Sequence, residues 1–275
     1  DRDRVGHCPC RGHVPRVRSR QGVRRQSDSQ VLGRPDSRRG APIRHVATAT
    51  IGAVLVAGFW LGRLDWDPTM RLWRAFGDAS IVLLFASLFL GPAARLWRRF
   101  GRLLPWRREV GVWSAVTALV HTVLVLDGWV QWDPGRLMGY EFVAELDRTL
   151  RLEPGFGLAN LIGLVALAWM LVLAATSSDW AVRSIGPEAW KWIHQGAHVI
   201  FYLAVLHAAY FLFIHYTASF HREPPSPNWF RWPLLVMGIT VAVLQWMAFV
   251  KTARRRRLAR MQRDGLGASS GRPLP

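Results

Sequence analysis

Apolar residues in this chain occur in long, nearly uninterrupted runs. A membrane-spanning helix needs about 20 mostly apolar residues, because the hydrocarbon core is about 30 Å thick and each helical residue rises about 1.5 Å. Six stretches approach or meet that length, at residues 46–62, 81–97, 110–130, 157–176, 190–216 and 233–250. The pattern therefore predicts an all-α integral membrane bundle of six transmembrane helices.

Polar residues mark the borders of these runs. Asp78 and Ser80 precede the second run, and we expect them to cap its helix. A short and very basic loop at residues 95–108 separates the second run from the third, and an acidic segment at residues 131–154 separates the third from the fourth. The borders predict successive helices that cross the membrane in alternating directions.

The net charge of +18 is concentrated in the two tails. Residues 1–44 hold 12 Arg and 4 Asp, and residues 251–275 hold eight basic residues and one acidic residue, which together account for +15. Basic segments beside membrane spans fix orientation and contact anionic lipid headgroups. Nucleic-acid binding is not expected, since no aromatic and basic reading surface accompanies the charge. We predict a basic tail at 1–44, disordered or a reading-frame extension, a membrane domain at 45–250 and a basic cytoplasmic tail at 251–275.

Orientation follows from the basic residues in the short loops. The 95–108 loop holds six arginines, and the loop between the fourth and fifth runs holds Arg183 with Lys191 on its flank. The positive-inside rule assigns that side to the cytoplasm of a bacterial cell, so both termini are expected inside. Tryptophans near the predicted span ends are expected to form interfacial belts; they are Trp106, Trp129, Trp132, Trp190, Trp192, Trp229 and Trp232.

Histidines are the candidate chemical groups of the membrane domain. His121 lies in the third run, and His194, His198 and His207 lie in the fifth, with His215 at its far end. Ionisable side chains at membrane depth are costly and therefore suggest function, although a neutral histidine bonded to a neighbouring helix is the structural alternative. Neutral imidazole is also a strong ligand for transition metals and haem iron.

Depth decides which histidines can pair across the bundle. His121 lies 14 residues beyond Arg107, roughly 21 Å, and His207 lies 16 residues beyond Lys191, roughly 24 Å. His194 is only three residues beyond Lys191, roughly 5 Å. His121 and His207 therefore match in depth near the outer leaflet, whereas His194 lies deeper toward the cytoplasm.

His194 and His207 of the fifth helix do not share a face. Thirteen residues on an ideal helix rotate the side chain by roughly 220°. Either the fifth helix bends or bulges between His194 and His207, or two cofactors approach it from different sides. The spacing alone leaves both possibilities open.

Two stretches resemble the ferric reductase-like transmembrane family. Residues 108–121, which end on His121, resemble the third helix of that family, and residues 183–194 with His207 thirteen steps later resemble its fifth helix. Within the family the chain is most similar to the haem-binding membrane subunits of bacterial methionine-sulfoxide reductase systems. The resemblance covers about residues 46–250.

The resemblance implies six helices, b-type haem and electron transfer across the plasma membrane. His121, His194 and His207 match the family's ligand positions for haem iron, with Arg107 where other branches carry an inner histidine on the third helix. This implies one or two haems, and FMN is a further candidate cofactor. Arg183 is either a cation near haem propionates or a flavin phosphate, or a residue that sets topology. Cys8 and Cys10 are the only cysteines and lie far from these histidines, so no thioether link to haem is expected.

The electron donor is expected to come from outside the chain. No strand–glycine-loop–helix nucleotide fingerprint occurs, so a quinol, a flavin or another protein should supply electrons, and an extracytoplasmic reductase is a candidate acceptor. Two other classes stay open. One is a membrane protein that uses the same histidines for transition-metal transport or sensing, and the other is a structural subunit whose histidines only pack helices.

Overall fold

The structure is a computed structural model that describes residues 40–151, 154–215 and 228–269. The predictions for the N-terminal tail, including Cys8 and Cys10, lie outside these residues. The helices are α1 (Ala41–Leu61), α2 (Pro68–Leu96), α3 (Arg107–Val125), α4 (Pro134–Leu137), α5 (Pro154–Ala175), α6 (Asp179–Ile185), α7 (Pro187–Gln195), α8 (Ala197–Ala209) and α9 (Arg231–Ser269).

Six helical segments in the described residues are long and apolar enough to cross a membrane. They are Ala41–Leu61, Pro68–Leu96, Arg98–Val130, Gly155–Ala175, Pro187–His215 and Arg231–Met261, which we call the first to the sixth span. All six predicted runs are therefore helical, and several helices extend beyond them. Their exposed surface carries many large apolar side chains, as expected of a surface that faces lipid.

The second span begins 13 residues before its predicted start. Asp67 caps α2, because its carboxylate accepts hydrogen bonds from the backbone N–H groups of Thr69 and Met70, and Pro68 occupies the first turn. The expectation that Asp78 and Ser80 cap this helix is wrong. Both lie inside α2, where Ser80 is buried and exchanges hydrogen bonds with Ser114 of α3.

Irregular segments lie at both ends of the third span. The predicted basic loop is partly a 3-10 helix, Arg98–Trp106, which leads directly into α3. After α3 the chain widens into a π-helical turn, Leu126–Val130. The strands β1 (Tyr140–Val143) and β2 (Arg148–Arg151) then form an antiparallel hairpin, with Tyr140 paired to Arg151. This hairpin departs from the all-α prediction, and the mostly helical architecture stands.

The fifth span is interrupted twice. Helix α7 ends at Gln195 and α8 begins at Ala197, so the helical run is interrupted at Gly196, between His194 and His207. After α8 the chain again forms a π-helical segment, Tyr210–His215. The fifth helix is therefore irregular between His194 and His207, and the number of cofactors beside it stays a prediction.

The second to sixth spans share one apolar core. Helix α2 packs along α3, and α5 packs along α8, while α9 packs on α2. The most deeply buried side chains of this core include Leu88, Ile200, Phe201 and Leu234. We call the end of the bundle where α2 and α5 begin the hairpin end, and the end where α3 begins the arginine end.

Candidate functional site

A cavity opens between the second, third, fourth and fifth spans, toward the hairpin end. Its walls are mostly apolar, and two histidines, His121 and His207, face each other among them. The residues that line it include Trp73, Arg74, Gly77, Asp78, His121, Asn160, Gly163, Met170, His207 and His215. The two predicted ligands of matching depth are thus brought together in one cavity.

His121 is fixed by the backbone of α2. Its Nδ1 lies 2.7 Å from the carbonyl oxygen of Trp73. A carbonyl oxygen can only accept a hydrogen bond, so Nδ1 carries a proton. Burial among apolar helices disfavours the charged imidazolium, and in the neutral ring Nε2 then keeps its lone pair. No hydrogen-bond partner of Nε2 occurs in the part of the chain that the structure describes. The ring is therefore a neutral imidazole with one nitrogen available to the cavity.

His207 repeats this arrangement on the other side. Its Nδ1 donates to the carbonyl oxygen of Ala159 in α5, again at 2.7 Å. Within the described ranges 40–151, 154–215 and 228–269, its Nε2 likewise has no hydrogen-bond partner. The cavity therefore holds two imidazoles of the same tautomer.

The two halves of the site have the same spacing in the sequence. Each histidine follows its backbone acceptor by 48 residues, and each contacts a glycine, Gly77 or Gly163, that lies one helical turn after that acceptor. Both histidine helices continue into a π-helical segment. π-Turns inside helices are frequent at functional sites. The same local arrangement therefore occurs twice: a histidine of α3 bonds to a carbonyl of α2, and a histidine of α8 bonds to a carbonyl of α5.

Polar side chains surround the cavity at the hairpin end. Arg74 lines the cavity, and so does Asp78, which pairs with the fully buried Arg63. Asn160 donates to the carbonyl oxygen of Leu137 at 2.8 Å, which ties the fourth span to the turn before the hairpin. These groups make one end of an otherwise apolar cavity polar and charged.

His215 is a further histidine of this cavity that was not predicted as a site residue. It is buried, and its ring lies 5.2 Å from that of Phe156 and 5.5 Å from that of Phe211. It follows His207 by eight residues through the π-helical segment. Its placement in the wall depends on that segment, which apolar periodicity does not reveal.

His194 lies outside this cavity. Its Nε2 is 3.1 Å from the hydroxyl of Thr176, and its ring stacks on Trp190 with centroids 4.1 Å apart. Within the described part of the chain, the hydrogen bond of His198 is a long contact of 3.4 Å from Nδ1 to the carbonyl oxygen of Gln195. The structure therefore does not bring His194 together with His121 and His207.

The predicted cation Arg183 also lies away from the cavity, as does Arg107, which stands where other branches carry an inner histidine. Arg107 is half-buried at the start of α3, beside Gly91 of α2. Arg183 is exposed in the last turn of the short helix α6. Two tryptophans assigned to interfacial belts also have other contacts, since Trp129 lines the cavity and Trp190 stacks on His194.

Part of the chain that forms this cavity matches a known protein family. The sequence profile of the family described as ferric reductase like transmembrane component matches residues 76–203. This confirms the family resemblance. The matched region contains Gly77, His121, Gly163 and His194, and it ends four residues before His207. The ferric reductase-like match thus covers most of the cavity walls.

Curated relatives extend the similarity beyond the matched region. The protein-methionine-sulfoxide reductase heme-binding subunit MsrQ of Bordetella pertussis is 29% identical over 201 residues, which cover 72% of this chain and 84% of the relative. The subunit of the same name from Yersinia pestis is 26% identical over 195 residues, 64% of this chain and 88% of the relative. These bacterial relatives and the six spans confirm the predicted multi-pass protein of a bacterial membrane.

Proposed function

We propose that the chain is a haem b-containing electron-transfer subunit of a bacterial plasma membrane, with one haem held between His121 and His207. The observation that carries this proposal is the pair of neutral imidazoles in one cavity, each with Nδ1 bonded to a backbone carbonyl and Nε2 available. Axial ligands of haem iron require a ring nitrogen with a free lone pair, held in orientation by a bond at the other nitrogen.

The cavity lining fits an amphipathic cofactor. Ile81, Ala166 and Met170 line it, whereas Arg74 contributes a positive charge on the hairpin side. A haem has an apolar ring system and two carboxylates. We therefore propose that the carboxylates lie toward Arg74 and that the apolar edge lies between the helices. When bound, the haem iron supplies a one-electron redox couple.

The chain's own residues would tune and protect that couple. Each Nδ1–H···O bond makes the imidazole a better electron donor at Nε2 and fixes its plane. The apolar side chains of four spans keep water from the site, which favours the iron state of lower charge. The residues thus supply ligation, orientation and a dry environment.

The electron-accepting partner and the direction of electron transfer are proposed by analogy with the relatives. The relatives are named as heme-binding subunits of protein-methionine-sulfoxide reductase. By analogy we propose that electrons leave at the hairpin end, outside the cytoplasm, to a reductase partner. A quinol or a flavin would supply electrons from the cytoplasmic arginine end, with both termini inside.

One haem is proposed rather than two. The Nε2 of His194, which a second haem would need, is already bonded to the Thr176 hydroxyl, and its ring is stacked on Trp190. FMN beside the exposed Arg183 stays a prediction from the family resemblance. The alternative of a bare transition-metal site is less well matched, because within the described residues no three His, Cys, Asp or Glu side chains come together as such an ion would need.

A visible spectrum of the detergent-purified protein from haem-replete cells tests the function. We expect b-type haem with a low-spin spectrum, greatly reduced in His121→Ala and retained in His198→Ala, which serves as the control on the same bundle. A colourless parent protein would refute the redox function. If the parent protein is colourless but binds a transition metal, and His121→Ala does not bind that metal, the metal-site alternative would be supported instead.

A further inference from the structure

We infer that Gly77 and Gly163 are positioning residues that hold the two imidazoles against helix backbone carbonyls. This inference rests on the proposed function for its meaning, because the imidazoles are the proposed haem ligands. It concerns the glycines, which neither the family match nor the names of the relatives assign to a role.

The glycines leave space that the histidine rings fill. A Cβ added at Gly77 would lie 3.0 Å from Nδ1 and 3.1 Å from Cε1 of His121. A Cβ added at Gly163 would lie 2.6 Å from Nδ1 and 2.8 Å from Cε1 of His207. Carbon atoms pack at about 3.5–4.0 Å, so both rings occupy the position that a side chain would otherwise cover.

The close approach of each histidine ring to its glycine brings the ring to a backbone carbonyl of the helix. In an α-helix the carbonyl of residue i accepts the N–H of residue i+4, so Trp73 O and Ala159 O are the acceptors of the N–H groups of Gly77 and Gly163. The same two oxygens accept Nδ1–H of His121 and His207, each at 2.7 Å. A ring can reach a carbonyl that already serves the helix only if the residue one turn later leaves the approach open.

Glycine is unfavourable in the interior of a helix, so its presence there is explained by the space that it leaves for the histidine ring. It destabilises a helix relative to alanine, since it costs more backbone entropy on folding. Gly77 and Gly163 lie well inside α2 and α5 with ordinary helical surroundings, and neither has a positive φ. An alanine Cβ would block this open approach to the carbonyl at Gly163 and narrow it at Gly77.

The two positions are not equally tight, and this predicts an order of effects. At Gly163 the added Cβ would meet the ring at 2.6 Å, a distance that real Cβ atoms essentially never show, so the His207 ring must move. At Gly77 the separation is 3.0 Å, and a shift of a few tenths of an ångström would relieve it. Gly163→Ala should therefore disturb its histidine more than Gly77→Ala.

The test compares these two variants with Gly238→Ala, in the full chain purified in detergent. At Gly238 an added Cβ would lie 3.8 Å from Val205, an ordinary contact. Loss of an outer-shell partner of a metal ligand typically weakens metal affinity about 10–100-fold. We expect Gly163→Ala to release haem to apomyoglobin at least about tenfold faster than the parent, with altered low-spin EPR g-values. Gly77→Ala should show a smaller change in the same direction, and Gly238→Ala none. Gly163→Ala with parental g-values and release rate would overturn the inference, as would an equal effect of Gly238→Ala.

A second measurement keeps the inference separate from the proposed function. Nitrogen-15 NMR of the histidine rings reports the tautomer in protein prepared without haem. The parent should show two membrane histidines protonated at Nδ1, and Gly163→Ala, the tighter position, should lose that signature for one of them. A parent that never binds haem but shows these tautomers would refute the proposed function and support the positioning role. A parent that lacks them would refute the positioning role, whether or not it binds haem.

Discussion

The two ends of the fifth span treat a histidine in opposite ways. At the hairpin end, His207 has its Nδ1 bonded to a backbone carbonyl, and its Nε2 is available to a cavity shared with His121. At the arginine end, His194 has its Nε2 on the Thr176 hydroxyl and its ring on Trp190. One span thus carries one imidazole arranged as a ligand and another engaged in packing.

The difference lies in what the neighbouring helices present. Around His207 the facing helix α3 supplies a second imidazole of the same depth, and α5 supplies an open carbonyl beside a glycine. Around His194 the facing helix supplies Arg107, whose charge acts on the His194 ring. A histidine at membrane depth therefore becomes a candidate ligand through its partners, and the residue type alone does not decide it.

The largest expected effect separates these two histidines directly. His207→Ala removes one of two proposed axial ligands and should abolish most low-spin haem, whereas His194→Ala should leave most of it. Haem per protein from the pyridine haemochromogen assay, with the low-spin spectrum, measures both. Equal loss of haem in the two variants would show that the arginine end also holds a haem through His194.

The ion pairs of the two ends should differ in the same direction. At the hairpin end Asp78 pairs with Arg63, whose side chain is 1% exposed, whereas at the arginine end Arg108 and Asp179 are 40% and 48% exposed. Removal of one partner of a buried pair typically costs about 3–5 kcal/mol, and an exposed pair is worth about 0–1 kcal/mol. We expect Asp78→Ala to lower the free energy of unfolding far more than Asp179→Ala. Denaturant titration in detergent, followed by tryptophan fluorescence, measures both, and similar values would contradict the comparison.

The smallest expected effect concerns the caps of two helices. The Thr69 hydroxyl, followed by the backbone N–H of Met70, holds the pKa of Asp67 below its ordinary value of 3.8. A lowered pKa means that the charged cap contributes stability above the unfolded pKa and that this contribution disappears as pH falls through the folded pKa. The melting temperature of Asp67→Asn should therefore be below that of the parent at pH 7, with the gap closing below about pH 4.

The matched control for this pH dependence is the uncharged cap of α6. Ser178 accepts a hydrogen bond from the backbone N–H of Ala181 at 3.0 Å. The effect of Ser178→Ala should not change with pH over the same interval. A gap for Asp67→Asn that stays constant down to pH 3 would show that the carboxylate charge contributes nothing to the cap.

Sequence reasoning predicted the six spans and the common depth of His121 and His207, because both follow from length and rise per residue. It misplaced the start of α2. Arg71 and Arg74 lower the local hydropathy, although Arg71 is buried and its guanidinium lies 4.1 Å from the ring centroid of Trp60. An arginine lowers the mean hydropathy of its segment even when it packs on an aromatic ring, so hydropathy alone assigns that part of the helix to a loop.

The glycines beside the ligands were missed for a different reason. Gly77 and Gly163 are ordinary members of apolar runs until the register between helices is known. The usable signal was their spacing, since each precedes a histidine by 44 residues. The hairpin at residues 140–151 was also missed, because its charged and apolar residues alternate only briefly within an acidic segment.

The most direct test of the central claim is the haem count and EPR spectrum of the purified full chain. The account predicts one low-spin haem per chain, with g-values of bis-imidazole ligation, because one cavity holds two imidazoles with available Nε2 atoms. A protein without haem, or with one haem in a high-spin state that His121→Ala does not change, would contradict it.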